Sequence, residues 1–152
     1  MSKIQKILTA PHEEIEKIQI EGIKKTVVNC YENIPFYKKS FDEAGFDPYS
    51  VEAIDDLKNA PFVTKQDLRD AYPYGMLAVP MKDVREIHMS SGTTGVATVG
   101  AYTKHDLDIW AECFGRGLLY AGGNEEDIIQ IAYGYGLFTG GLGAHYGSLW
   151  SE

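Results

Sequence analysis

Proline and glycine divide this chain near residue 80. All six prolines lie at or before Pro80, whereas 13 of the 16 glycines follow residue 85. Proline locks φ and removes a backbone donor, while glycine frees the backbone to turn sharply or to approach a neighbour closely. The division predicts a mainly helical, proline-punctuated region over residues 1–84 and a glycine-rich α/β region over residues 85–152. Charge follows the same line: the first region holds 11 basic and 14 acidic side chains, the second 3 and 8. Binding sites favour glycine-rich connections on a rigid scaffold, so the second region is the one in which to expect a site.

Several function classes fall away on composition. With 152 residues, 44% hydrophobic and 24% charged, the chain suits one globular domain or a large piece of one. A net charge of −8 without a Lys/Arg cluster predicts no nucleic-acid partner. No apolar run approaches the ~20 residues that cross a bilayer, and the opening MSKIQKILTAPHEEIEK lacks a signal-peptide core. No membrane partner and a cytoplasmic location are therefore expected. Cys30 and Cys113 form no CxxC and read as reduced thiols. His12, His88, His105 and His145 show no HxH or HxxxH spacing, so no metal site is expected.

In the first region, Ile15, Ile18, Ile23, Val27 and Tyr31 recur at helical spacing and predict a helix from about Pro11 to Tyr31. A short helix should follow Pro35 and stop at Gly45, and another should cover Val51 to Asn59. Thr64-x-x-Asp67 has capping-box form for a helix to about Tyr72. In the second region, Arg85–Met89 and Ala97–Tyr102 read as strands around a loop, Ser90-Ser91-Gly92-Thr93-Thr94-Gly95. Thr103-x-x-Asp106 caps a helix whose inner face carries Leu107, Trp110, Ala111, Phe114, Leu118 and Ala121. Gly115 and Gly117 inside it imply close packing or local weakness. Gly122-Gly123 stops it, and Asp127–Tyr133 predicts a buried strand. Strand, crossing helix and strand would make a right-handed α/β crossover.

The loop carries four hydroxyls and two glycines in six residues. Hydroxyls and glycine N–H groups can follow the oxygens of a phosphate, although the same composition also makes a plain hairpin turn. It is no Walker A loop, because Gly-Lys-Ser/Thr is missing, and a P-loop NTPase is a third reading that this absence disfavours. Nothing ties a hydroxyl to a base, so no Ser/His/Asp arrangement is predicted.

The run Ser90–Gly95, followed by Thr98 and Tyr102-Thr103, resembles the phosphate-loop signature of adenylate-forming enzymes. Further stretches extend the likeness: FDEAG from Phe41, PFVTKQDLRD from Pro61, YPYG from Tyr72, YGYGLFTGG from Tyr133 and HYG from His145. Together they resemble the phenylacetate–coenzyme A ligase family from about Cys30 to Gly147. The resemblance implies the N-terminal part of the adenylate-forming fold, in the order helical region, strand, phosphate loop, strand, helix, strand. It also implies a two-step reaction with ATP, Mg2+ and coenzyme A, acting on an aryl carboxylic acid such as phenylacetate. An acyl-adenylate and pyrophosphate form first, and the thiol then displaces AMP. Ser90, Ser91, Gly92, Thr93, Thr94 and Gly95 would hold the ATP phosphates. Tyr135, Phe138, Gly140 and Gly141 would wall the aryl acid, with core packing as the other reading of these aromatics. Arg116 and His145 are lesser candidates, and His88 precedes the loop.

Two departures accompany the likeness. The family has lysine after the hydroxyl-rich run where this chain has Val96. Family members are also much longer, so their nucleoside-binding segments and C-terminal domain, with the expected catalytic lysine, lie outside this chain. The fragment alone is expected to be inactive, and to self-associate, as a homodimer, or to need the missing C-terminal part. A truncated, non-catalytic remnant or interaction module that keeps the fold is the alternative.

Overall fold

The computed structural model describes residues 9–90 and 95–150. The chain divides into two compact units, Met1–Asp67 with Gly75–Ala78, and Leu68–Tyr74 with Val79–Glu152.

The first unit is built on α1 (His12–Asn33) and α2 (Pro35–Ala44). Pro11 stands before α1, and Glu13 and Glu14 occupy its first turn, where the positive end of the helix dipole favours carboxylates. Ile34 is extended, as a residue before proline tends to be, and Pro35 then opens α2. Gly45 ends α2 at φ 65, in the left-handed region, and Phe46 N–H reaches back 2.9 Å to the Phe41 carbonyl. Val27, Phe41, Phe46 and Val51 form the core, ringed by Ile23, Tyr31, Tyr37 and Leu57.

The helix expected over Val51–Asn59 is two 3-10 turns instead, Pro48–Ser50 and Ile54–Asn59. Asp47 and Asp56 cause this. Asp47 accepts from Tyr49 N–H at 2.9 Å, and Asp56 accepts from the N–H groups of Glu52 and Ala53, both at 2.8 Å. Side chains that satisfy local backbone donors in this way compete with a continuous helix. The Thr64–Asp67 box forms as its spacing predicts, and opens α3 (Lys65–Asp70).

Asp56 and Asp67 set an acid response. The Glu52 and Ala53 amides hold the Asp56 carboxyl below its ordinary value, and the Thr64 hydroxyl, with its amide, does the same for Asp67. A lowered folded-state value stabilises above the unfolded pKa, near 3.9, and that contribution is lost as pH falls through the folded value. Carboxyl titration followed by NMR should place both midpoints below about 3.9, the turns at 54–59 and 65–70 loosening in the same window. Midpoints at or above the ordinary value would refute these caps.

The second unit holds β1 (Val84–Met89), β2 (Val99–Thr103), α4 (Lys104–Tyr120) and α5 (Thr139–Trp150). The two strands are antiparallel and pair Met89 with Val99, His88 with Gly100 and Ile87 with Ala101. Thr103 caps α4 through Asp106, the two residues exchanging backbone-to-side-chain bonds at 2.8 and 3.2 Å. Gly122, at φ 97, turns the chain after α4, and Gly123 N–H bonds the Leu118 carbonyl. His88 is the buried centre of the unit, at 2% exposure, its ring edge-on to Tyr102 and Trp110 at 5.2 Å.

The packing of α4 against α5 decides what the unit looks like. Gly143 lies where a Cβ would come within 2.6 Å of the Trp110 ring, and Gly147 within 2.4 Å of Phe114 Cβ. Gly115 on α4 is buried as well, in line with close packing there, whereas nothing stands within 4 Å of a Cβ at Gly117.

A second expectation is overturned. Asp127–Tyr133 is neither a strand nor buried, and Ile128 is 99% exposed. Among the described residues no α/β crossover is therefore formed: the sheet has two directly connected antiparallel strands. A strand exists only where its backbone groups find another strand, and among the described residues this stretch finds none.

Candidate functional site

The turn between β1 and β2 is closed on two sides. Ser90 N–H donates to the Thr98 carbonyl at 3.0 Å, and Thr98 N–H donates to Ser90 Oγ at 2.9 Å. Ser90 thus holds the mouth of the turn with its hydroxyl oxygen, while its O–H stays a donor. At the other side Gly95 has φ +128, a backbone that side chains rarely adopt. Next to it, Arg69 Nε donates to the Val96 carbonyl at 3.3 Å. Ser91, Gly92, Thr93 and Thr94 lie outside the described residues.

The candidates of the aromatic stretch fall into two groups. Phe138 stacks on Tyr133, with centroids 6.2 Å apart, and its ring covers Gly140, where a Cβ would come within 2.9 Å of Cε1. Gly141 is as close to the Gly134 carbonyl. The tight approach at both glycines is therefore made by the chain's own 133–138 segment folding over the first turn of α5. Tyr135 instead meets His145, hydroxyl to Nδ1 at 3.3 Å. A cleft of about 270 Å3 beside His145 is lined by Asp127, Ile129, Ile131 and Leu149.

One backbone bond joins the turn to this stretch. Met89 N–H, at the end of β1, donates to the Leu137 carbonyl at 2.8 Å. Ser90 follows Met89 and Phe138 follows Leu137, so the two candidate groups begin side by side.

Behind them Glu86 bridges two elements. One carboxylate oxygen lies 3.1 Å from His88 Nε2, and the other accepts from the Tyr146 hydroxyl of α5. That bond to Glu86 pushes the Tyr146 phenol above its ordinary value. His88 Nδ1 is buried without a partner. Arg116 pairs with Glu112 at 3.5 Å on the surface of α4. Both cysteines are free thiols, and burial raises the pKa of Cys30. Among the described residues no group of three or more His, Cys, Asp or Glu converges as a metal site, and no helix is long and apolar enough to cross a membrane.

Sequence reasoning missed two contributions. Arg69 and Val96 are 27 positions apart, and nothing local marks them as neighbours. The link from Glu86 to Tyr146 spans 60 positions and depends on where α5 lies, a helix that four glycines in twelve residues conceal.

No protein-family model matches the chain. Individual proteins do. The phenylacetate–coenzyme A ligase of Escherichia coli (strain K12) is 50% identical over 147 residues, 97% of this chain and 34% of that protein. That of Aromatoleum evansii is 48% identical over 145 residues, 95% of this chain and 33% of its own length. Among solved structures, 2-hydroxyisobutyryl-CoA ligase in its postadenylation state, in complex with 2-HIB-AMP, superposes with TM-score 0.82 at 26% identity, over 93% of this chain and 30% of that one. The same enzyme in complex with 2-HIB-AMP and CoA superposes equally well, at 28% identity over 93% of this chain and 31% of that one. The two units thus carry the fold of an acyl-CoA ligase over part of its length. The chain spans about a third of the length of the curated relatives it matches, and over that third it is similar to phenylacetate–coenzyme A ligases at 48–50% identity.

Proposed function

We propose that this chain forms the phosphate-holding and acid-facing part of an ATP-dependent ligase that joins an aryl carboxylic acid, such as phenylacetate, to coenzyme A. A carboxylate cannot acylate a thiol directly, because its leaving group would be oxide. In the proposed reaction a carboxylate oxygen attacks the α-phosphate of Mg·ATP and pyrophosphate leaves; the coenzyme A thiol then displaces AMP from the acyl-adenylate. Residues 85–152 supply the site and residues 1–84 the scaffold. Ser90 through Gly95 hold the departing phosphates, whose developing charge preorganised donors stabilise. Tyr135, Phe138, Gly140 and Gly141 face the acid.

The observation that carries this reading is the Met89–Leu137 bond, which starts the hydroxyl-rich turn and the aromatic stretch at neighbouring positions. Adenylation needs that arrangement, since the carboxylate must reach the α-phosphate. The 50% identity to a phenylacetate–coenzyme A ligase supports the aryl acid. Val96, uncharged and half-exposed beside the turn, favours the second reading of a non-catalytic remnant or interaction module.

Phenylacetate-dependent exchange of label between pyrophosphate and ATP tests the first reading, run beside the intact mass of the protein from its native source. Exchange by the isolated chain, or a native protein much heavier than 16.9 kDa that exchanges, supports it. A native mass near 16.9 kDa without exchange would overturn it in favour of the remnant.

The exposed apolar side chains of Tyr120, Ile128, Tyr133 and Leu137 lead us to expect that the isolated chain self-associates, as a homodimer, or takes up the C-terminal remainder. Sedimentation should show a dimer, or a complex with that remainder. A sharp monomer that binds neither would count against it.

A further inference from the structure

Glu86 and His88 stand two residues apart on β1, so their side chains leave the same face of the strand. Both are largely buried, and the rings of Tyr102 and Trp110 stand edge-on to His88. A carboxylate only accepts, so the 3.1 Å contact with Glu86 puts the ring hydrogen of His88 on Nε2. A neutral ring has a single N–H, which leaves Nδ1 as a bare acceptor. That accounts for Nδ1 being buried without a partner among the described residues, where an N–H would be an unmet donor. The other oxygen of Glu86 accepts from the Tyr146 hydroxyl, two turns into α5. One carboxylate therefore holds a group from its own strand and a group from a helix 60 positions away.

We propose that Glu86 is the positioning residue that registers α5 on β1 and thereby brings the Leu137 carbonyl to the Met89 amide. The Met89–Leu137 bond is a single neutral bond at the end of a strand, and residues 133–138 are exposed. Bonds to a carboxylate are about twice as strong, and shielding from water strengthens them further. Tyr146 lies seven residues beyond Thr139, where α5 begins. Its anchor therefore acts about 10 Å along the helix from the end that follows Leu137. With Tyr146 held, the first turn of α5 cannot slide along β1, and the close contacts at Gly143 and Gly147 keep the helix against α4. His88 supplies the other half, since its Nε2–H fixes the orientation of the carboxylate. The positioning role stands on geometry. Its consequence, that Ser90 and the acid-facing stretch start side by side, rests on the proposed ligase reading.

Amide hydrogen exchange and imidazole nitrogen shifts, both read by NMR on the full 152-residue chain, test the assignment without ATP or acid. In the unaltered chain the shifts should place the His88 hydrogen on Nε2. Tyr146→Phe removes the anchor and leaves the Glu86–His88 half intact. It should speed exchange of the Met89 amide about tenfold, the loss expected when a bond to a charged group goes. The Ser90 amide, bonded to Thr98 within the hairpin, should exchange as before. Glu86→Leu should speed Met89 likewise and also release the His88 tautomer. Glu86→Gln can still accept from Nε2–H and donate to the Tyr146 oxygen, and should restore part of the protection. Unchanged Met89 exchange in Tyr146→Phe would overturn the role of Glu86. Equal acceleration of Met89 and Ser90 would show a general loss of stability and overturn it too. A His88 hydrogen found on Nδ1 would remove the contact on which the assignment stands. If Glu86→Leu does not fold, Tyr146→Phe and the tautomer of the unaltered chain decide. None of these readings depends on pyrophosphate exchange, so failure of the Glu86 assignment and failure of the ligase reading are told apart.

Discussion

Replacing Phe41 by alanine is expected to cost the first unit about 3–5 kcal/mol, the range for removing a buried aromatic ring. Phe41 is 4% exposed and is the centre of its core. Phe46 meets its ring edge-on at 4.9 Å, Tyr37 at 5.8 Å, and Tyr31 stacks at 6.2 Å. Tyr31 and Phe46 are held by hydrogen bonds, which limits their collapse into the space. The Tyr31 hydroxyl donates to Asp42 and accepts from Lys38, and Phe46 is held by its backbone bond to Phe41. Ordinary domains have only about 5–15 kcal/mol of stability, so a loss of this size should leave the unit largely unfolded in modest denaturant. Urea melts followed by near-ultraviolet circular dichroism read it out. Phe62, 94% exposed, is the control, and Phe62→Ala should stay within about 0.5 kcal/mol of the parent. Comparable losses for the two would mean that the aromatic cluster is not the core.

Gly147→Ala is expected to destabilise the second unit by about 1–3 kcal/mol, even though alanine is the better helix former by about 1 kcal/mol. The sign follows from what the new methyl meets. At 2.4 Å it would strike Phe114 Cβ, the anchored root of a side chain, which moves only if α4 moves. Gly143→Ala would meet the edge of the Trp110 ring at 2.6 Å, and that ring is itself packed against Tyr102 and His88. Gly117→Ala supplies the opposite sign: nothing lies within 4 Å of the new methyl, so the helix gain of about 1 kcal/mol should appear undiminished. Thermal melts of the three variants give the comparison. Stabilisation by Gly147→Ala would show that α4 and α5 do not pack through their glycines. Loss of the α5 position should also separate Tyr146 from Glu86, and so bring the tyrosine back toward its ordinary titration.

Much of the fold is legible in the sequence because its signals are local. Pro11 and Pro35 mark helix starts, Gly45 marks an end, and the pairs Thr64/Asp67 and Thr103/Asp106 mark caps. Each depends on residues within four positions of each other, so spacing alone carries it. The strands at 84–89 and 99–103 follow from alternation over a short window. The stretch from Asp127 to Tyr133 has the composition of a buried strand and is not one here. Composition reports what a segment can do, but a strand is completed by a partner that the window does not contain.

The candidate site divides along the same line. The hydroxyls and glycines of the turn, and the aromatics near Tyr135, stand out as residue types, and the family likeness follows from their order. What a helix with four glycines does was settled by packing: Trp110 and Phe114 lie against Gly143 and Gly147. Arg69 at the turn and Glu86 between His88 and Tyr146 were likewise invisible in one dimension. The sequence by itself determined the capped and proline-started local elements and the kind of chemistry to look for, since short-range sterics and residue chemistry govern both. The tertiary structure alone decided that Arg69 bonds Val96, which glycines are close contacts and which apolar residues stay exposed, because those outcomes depend on groups far apart in the chain being brought within a few ångströms.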